Sequence, residues 1–169
     1  MQADAKYVRQ LSLALGVIKG SKKQLAQESY RTQPAISKYL KGAANVPNDV
    51  KKVAVEVTSN IRLAFSSARS DFGTISFFKS DKLRTDMFAA SVNQHREEQE
   101  RMQIERDAFV AMAIPAQERK SADWDIINCW AKEFAEEIGS EINELISSGE
   151  YTGADIQAAI DDYNKQFGG

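Results

Sequence analysis

The stretch SKKQLAQESYRTQPAISKYLKG, Ser21 to Gly42, constrains the fold of this chain more than any other segment. Its residue order predicts two short helices, 22–30 and 33–41, around a tight turn. Ser21 followed three places later by Gln24 has the capping-box spacing, and Ala26 beside Leu25 is small enough for a second helix to cross closely. Thr32 suits the N-cap of the second helix, and Pro34 falls in the first turn, where a missing N–H costs little. Ile36, Tyr39 and Leu40 lie at i, i+3, i+4 and face inward. Thr32, Gln33, Ser37, Lys38 and Lys41 then face outward, all polar and none acidic. Such a face can enter a DNA major groove, where Gln suits adenine and Ser or Thr is permissive.

QLAQESYRTQPAISKYLKG resembles the helix-turn-helix of Cro and lambda-repressor-like (XRE-type) DNA-binding domains, and the resemblance extends over about residues 1–66. Leu25-Ala26, the Thr32-Gln33 opening, Ile36-Ser37 and Gly42 each sit where that pattern expects them. In that family the second helix reads base edges and the first lies across the backbone. By position, the resemblance implies Thr32, Gln33, Ser37 and Lys38 as base readers and Lys22, Lys23, Arg31 and Lys41 as phosphate contacts, with double-stranded DNA as the partner. Tyr30 departs from the pattern. It stands where the family has Gly, whose left-handed conformation is cheap only for glycine. A bare structural corner is the alternative reading of such a pair.

The net charge of −2 conceals a division. Residues 1–70 carry 12 Lys/Arg against 4 Asp/Glu, while residues 71–169 carry 10 against 20. A basic front half points to polyanion binding by the half that also holds the motif, leaving another role for the acidic half. The chain is long enough for one sizeable core or two small ones, and only three prolines and nine glycines favour long helices. No apolar run reaches bilayer length. The start, MQADAKYVRQ, lacks a signal-peptide layout, and a lone Cys129 makes a reducing cytoplasm the natural setting.

The expected organisation is all-α: a helix-turn-helix domain of four or five helices over 1–66, a connector over 67–80, and a helical oligomerisation or partner-binding domain over 81–169. A first helix over 4–18 places Tyr7, Leu11, Ala14, Leu15 and Ile18 on one side. Asn48 is the expected cap of a helix carrying Val50, Val53, Ala54, Val57 and Ile61. Leu11, Leu15, Leu25, Ile36, Leu40, Val53 and Val57 are the expected core. Phe72, Ile75, Phe77 and Phe78 make the connector too apolar for a free linker, and docking of one half on the other is favoured over stacking on bases.

From Asp81 to Ile114 a long helix is predicted, apolar at Leu83, Met87, Phe109 and Met112. Its middle, NQHREEQERMQIERD, reads as a solvated bridge with an exposed His95 and no sustained heptads. After Pro115, a helix through Ser147 carries Trp124, Ile127, Trp130, Phe134, Ile138, Ile142 and Leu145 as candidate oligomerisation residues. SSGEYTG reads as a turn, Thr152 with Asp155 as a capping pair, and the last two helices as an antiparallel pair that completes a homodimer or higher oligomer.

Neither Cys129 nor His95 has companions at nucleophile–base or metal-ligand spacing, no phosphate-cradling loop is present, and neighbouring acids such as Glu136–Glu137 diverge around a helix. No enzyme, metal or cofactor is therefore expected. The expectation is a sequence-specific regulator similar to the repressors of phages and mobile elements, cytoplasmic and dimeric on paired half-sites. The alternative is an adaptor whose acidic half binds a polymerase or nuclease.

Overall fold

In the computed structural model, which describes residues 4–77 and 86–168, Asp4 opens the first helix by accepting from the Tyr7 N–H at 3.1 Å. The elements are α1 (Ala5–Val17), α2 (Ser21–Glu28), α3 (Gln33–Leu40), α4 (Asn48–Thr58), α5 (Ile61–Phe72), α6 (Met87–Ala113), α7 (Ser121–Thr152) and α8 (Ile156–Phe167). No strand occurs among the described residues, so the fold is all-α. Two compact units divide the chain at residues 76 and 77. The expected connector at 67–80 begins inside α5, which continues to Phe72, and residues 78–80 lie outside the described residues.

The first unit closes on Tyr7, Leu11, Leu25, Ile36, Val50 and Leu63, drawn from all five of its helices. Leu40 and Val53, expected at the centre, pack at the edge, and Val57 is half-buried. The cause lies in α4, which turns Val50, Lys51, Ala54 and Thr58 inward. The segment expected as one helix is two, because Ser59 is left-handed (φ 46°) and Asn60 caps α5 through the Leu63 N–H at 2.9 Å. Asn48 is the first helical residue, not a side-chain cap. The buried Lys51 ammonium lies 5.1 Å over the Tyr7 ring, donates to the Ser70 hydroxyl at 2.8 Å and pairs with Asp71. Its desolvation is thus met by an opposite charge, a hydroxyl and a ring face.

Around the α2–α3 corner one expectation fails. Ser21 does not cap α2: Gly20, left-handed at φ 84°, holds the cap position, and the buried Ser21 hydroxyl donates to the Leu15 carbonyl at 2.8 Å. The hydroxyl serves an orphan carbonyl at the end of α1, and Gln24 turns instead to Glu28 at 2.8 Å. At the other end of α2, the Arg31 N–H donates to the Ala26 carbonyl (2.8 Å) and the Tyr30 N–H to Gln27 (3.2 Å). This is a Schellman closure, and it forces Tyr30 to φ 52°. An identical closure ends α3, where Ala43 N–H reaches Lys38, Gly42 N–H reaches Tyr39, and Gly42 takes φ 67°.

In the second unit the antiparallel pair is α6 with α7. Phe88 meets Tyr151, Arg101 meets Glu137 and Phe109 meets Trp130, so residue numbers rise on one helix as they fall on the other. The expected pairing of the last two helices is not found; α8 approaches α7 at Gly149, where a Cβ would run into the Ile156 side chain. Helix α7 runs on to Thr152, through most of the expected SSGEYTG turn, and Asp155 alone caps α8 through the Ala158 N–H. At the hairpin turn Pro115 stops α6, and the Arg119 guanidinium donates to the Met112 and Ile114 carbonyls at 2.8 and 2.9 Å. Asp123 contributes by accepting from the Lys120 N–H at 2.7 Å. Leu83 lies outside the described residues.

The middle of α6 is not a solvated bridge. Glu97 is buried and paired with Arg96, while Arg101 lies between Glu105 of its own helix and a buried Glu137 on α7. Small residues are buried on both helices: Ala90, Ala108 and Ala111 on α6, and Gly139, Ser140 and Ser147 on α7.

Two consequences are measurable. Tyr30 is 92% exposed, so Tyr30→Gly loses little burial and removes left-handed strain; urea denaturation should show a gain of about 0.5–1 kcal/mol. Burial pushes the Asp4 carboxyl up, but the Tyr7 N–H and the Arg69 guanidinium outweigh it and hold the group below its ordinary value. A carboxylate depressed in the folded state contributes stability above its unfolded pKa and loses it as pH falls through the folded one. Asp4→Asn keeps a capping side chain and removes the charge. It should cost about 1 kcal/mol at pH 7, with the deficit vanishing as the pH drops below about 4.

Candidate nucleic-acid interface

Helix α3 is held by its inward edge. Ile36 is fully buried, Tyr39 and Leu40 pack against the same core, and the Thr32 hydroxyl accepts from the Ala35 N–H at 3.3 Å, as expected for its cap. The opposite edge is left to solvent. Thr32, Gln33, Lys38 and Lys41 are exposed and Ser37 is half-buried.

Hydrogen-bond bookkeeping separates these side chains by what each can still offer. The Gln33 carboxamide and the Lys38 and Lys41 ammoniums have no partner among the described residues, so their full capacity is open. Ser37 donates its hydroxyl hydrogen to the Gln33 carbonyl at 2.9 Å and keeps only its acceptor lone pairs. Thr32 is the reverse: its oxygen already accepts in the cap, and its hydrogen stays available. A free carboxamide can pair bidentately with adenine, and an acceptor-only hydroxyl suits an exocyclic amine.

The expected phosphate contacts are less uniform. Lys22 and Lys23 are exposed in the first turn of α2, which contains no acidic residue. Two cations at the positive end of a helix repel its dipole, a cost of several tenths of a kcal/mol that an anion there would reverse. Arg31 is already engaged, its guanidinium donating to Asp49 at 2.9 Å in an ion pair open to solvent. Four guanidinium N–H groups remain for another acceptor. Tyr30, left-handed at φ 52°, is more than a strained position. Its phenol, almost fully exposed between the two helices, belongs to the same edge as Arg31 and Thr32, and the missing glycine was the signal.

The expected oligomerisation stripe on α7 divides. Trp130 stacks near Phe109 (6.0 Å) and Phe134 (5.2 Å), and Arg101 lies 5.5 Å over Phe134, so these two rings are partly spent on α6. Trp124 lies under Arg119 at 4.9 Å yet is 41% exposed, and Leu145 is 43% exposed. Ile127, Ile138 and Ile142 are half-buried. Trp124, Ala131, Ile138 and Leu145 fall seven apart, a separate row about 100° around the helix from Trp130. His95 is exposed, as expected.

Carboxylates of Glu97, Glu133 and Glu136 converge within 4.8 Å, but Arg96 and Lys132 are bonded into the group. In the first unit a shallow groove between α4 and α5 is lined by Val55, Ala64, Ala68 and Phe72. No helix among the described residues is long and apolar enough to cross a membrane. No protein-family model matches the chain, and no curated protein or solved structure matches it either.

Proposed function

We propose that the chain is a sequence-specific, double-stranded-DNA-binding regulator of the repressor type found in phages and mobile elements. In this reading it acts in the cytoplasm, as a dimer on paired half-sites. The observation that carries the reading is the outer edge of α3, where an uncommitted carboxamide and two uncommitted ammoniums stand on a helix fixed by its opposite side. Gln33 reads a base edge, Ser37 accepts from one, and Thr32, Lys38 and Lys41 complete the face. Lys22 and Lys23 hold phosphate at the positive end of α2, with Arg31 beside them.

Pairing of protomers is assigned to the second unit. A two-helix hairpin hides one stripe per helix, and the row Trp124, Ile138 and Leu145, with Ile142 beside it, offers further apolar surface. A symmetric copy covers such a row by presenting the same row in return. Two recognition helices then reach half-sites about one helical turn apart.

The test is selection of preferred duplexes from a random pool at two salt concentrations, with solution mass measured alongside. Gln33→Ala should lower discrimination at one base pair by about 1–3 kcal/mol. Lys38→Ala should weaken all sequences alike and reduce the salt slope by about 1. A Gln33→Ala protein with unchanged preferences would overturn the base-reading role. The 1–76 fragment should fold and sediment as a monomer with about 100-fold weaker operator binding; a fragment that dimerises and binds fully would refute the division of labour.

A further inference from the structure

Two rows of side chains, each with a seven-residue spacing, run along one flank of the α6–α7 hairpin. On α6 the row is Phe88, His95, Met102 and Phe109; on α7 it is Trp130, Glu137, Glu144 and Tyr151. Both rows are aromatic at their ends, and the ends meet: Phe88 lies edge-on to Tyr151 at 5.6 Å, and Phe109 tilts over Trp130 at 6.0 Å. Between these two rungs stand His95 and Met102 on α6 and Glu137 and Glu144 on α7, with Glu98 three residues after His95 and four before Met102, and Glu141 four after Glu137 and three before Glu144. Glu141 is pushed up by burial and by the neighbouring charges of Glu137, Glu98 and Glu144, against the single opposing charge of Arg101. Four carboxylates around one guanidinium leave the middle under-neutralised. The rungs themselves are open, with Phe88 at 64%, Tyr151 at 65% and Phe109 at 52% exposure.

Each row spans 21 residues between its aromatic ends, which on a helix is about 31 Å. That is the length of a third helix of about six turns laid along the flank. We propose that this flank is a docking site for a cationic amphipathic helix on another protein. Its apolar ends pack on the Phe88–Tyr151 and Phe109–Trp130 rungs, and its Lys or Arg residues cross the Glu98–Glu141–Glu144 strip.

Charge complementarity selects this occupant over a second copy of the chain. A two-fold axis across the flank sets the acidic strip of one copy against its own image, a like-charge contact that costs rather than stabilises. The row Trp124, Ile138 and Leu145 carries no charge and has no such objection to self-pairing. The site goes beyond DNA recognition and does not depend on it, since none of its residues belongs to the first unit.

The test uses the full chain and a synthetic 24-residue helical peptide with Leu and Phe at both ends and Lys and Arg in the central turns. A control peptide carries Glu at those central positions. Fluorescence anisotropy should show the basic peptide binding at least tenfold more tightly than the control, with the preference shrinking as salt is raised. Glu141→Gln with Glu144→Gln should remove about tenfold of the basic peptide's affinity, and Phe88→Ala with Tyr151→Ala a similar factor, both at unchanged helix content by circular dichroism. Equal binding of the two peptides, or binding of neither, would overturn the proposal. So would a Phe88→Ala/Tyr151→Ala protein whose sedimenting mass halves, because a second copy would then be the occupant. Operator binding by the same variants is a separate readout, so failure of the DNA assignment and failure of this surface are distinguishable.

Discussion

The first unit depends on how α2 ends. The Ala26 carbonyl must find a donor once the helix stops, and it takes the Arg31 N–H five residues on. That bond turns the chain through one left-handed residue and aims α3 away from α2 with only residues 29–32 between them. The two sides of α3 follow from this direction: Ile36 goes to the core and Gln33 and Lys38 to solvent. The chain accepts a Tyr at the left-handed position although its own next corner uses Gly42 for the same geometry. Strain of about 1–2 kcal/mol kept at an exposed residue needs a reason other than packing. The phenol stands exposed at the turn between α2 and α3, beside Arg31 and Thr32 in the chain.

The second unit solves a different problem. Two helices cannot enclose a core, and what these two bury is mostly small or polar: Ala90, Ala108, Ala111 and Glu97 on α6, and Glu137, Gly139, Ser140, Asn143 and Ser147 on α7, alongside a fully buried Ile146. The larger apolar residues are thereby expelled to the flanks. The exposed Phe88, Val92, Met102, Val110 and Tyr151 are a consequence of the seam's smallness, not a failure of folding. A unit built in this way is stable in proportion to what covers it.

How much of this was legible follows from how far each signal reaches along the chain. The α2–α3 corner is local: Thr32 as cap, Pro34 in the first turn and Tyr30 at the strained position are fixed by neighbours within five residues, and all three stand where the sequence placed them. Ser21 was misread because its hydroxyl serves Leu15, a carbonyl in the previous helix that capping rules do not consider. The charged run of α6 was misread for a longer-range reason. Acidic and basic side chains are rarely buried unless paired, and the partner of Arg101 lies 36 residues away on α7. Ala90, Glu97, Ile104 and Ala111 do fall seven apart, but a heptad occupied by two alanines and a glutamate carries almost no hydrophobic signal. On α4 the expected Val50 and Ala54 are buried, and the break before Ile61 escapes the pattern because a left-handed Ser59 is not encoded by any strong turn residue.

The buried ion pair then has a definite task. A seam of alanine, serine and glycine brings helices together but does not fix their register, since one small residue replaces another at little cost. The Arg101–Glu137 pair removes that freedom. In the observed alignment Glu137 faces a guanidinium; sliding α7 by one turn in either direction sets it against Glu97 or Glu105. Both alternatives take Glu137 from its guanidinium partner and set it beside another carboxylate. Charge in the interior is therefore a poor source of stability here and a good source of alignment. Alignment is what brings Phe88 to Tyr151 and Phe109 to Trp130 at once, and the Arg101–Glu137 pair lies between those two aromatic rungs.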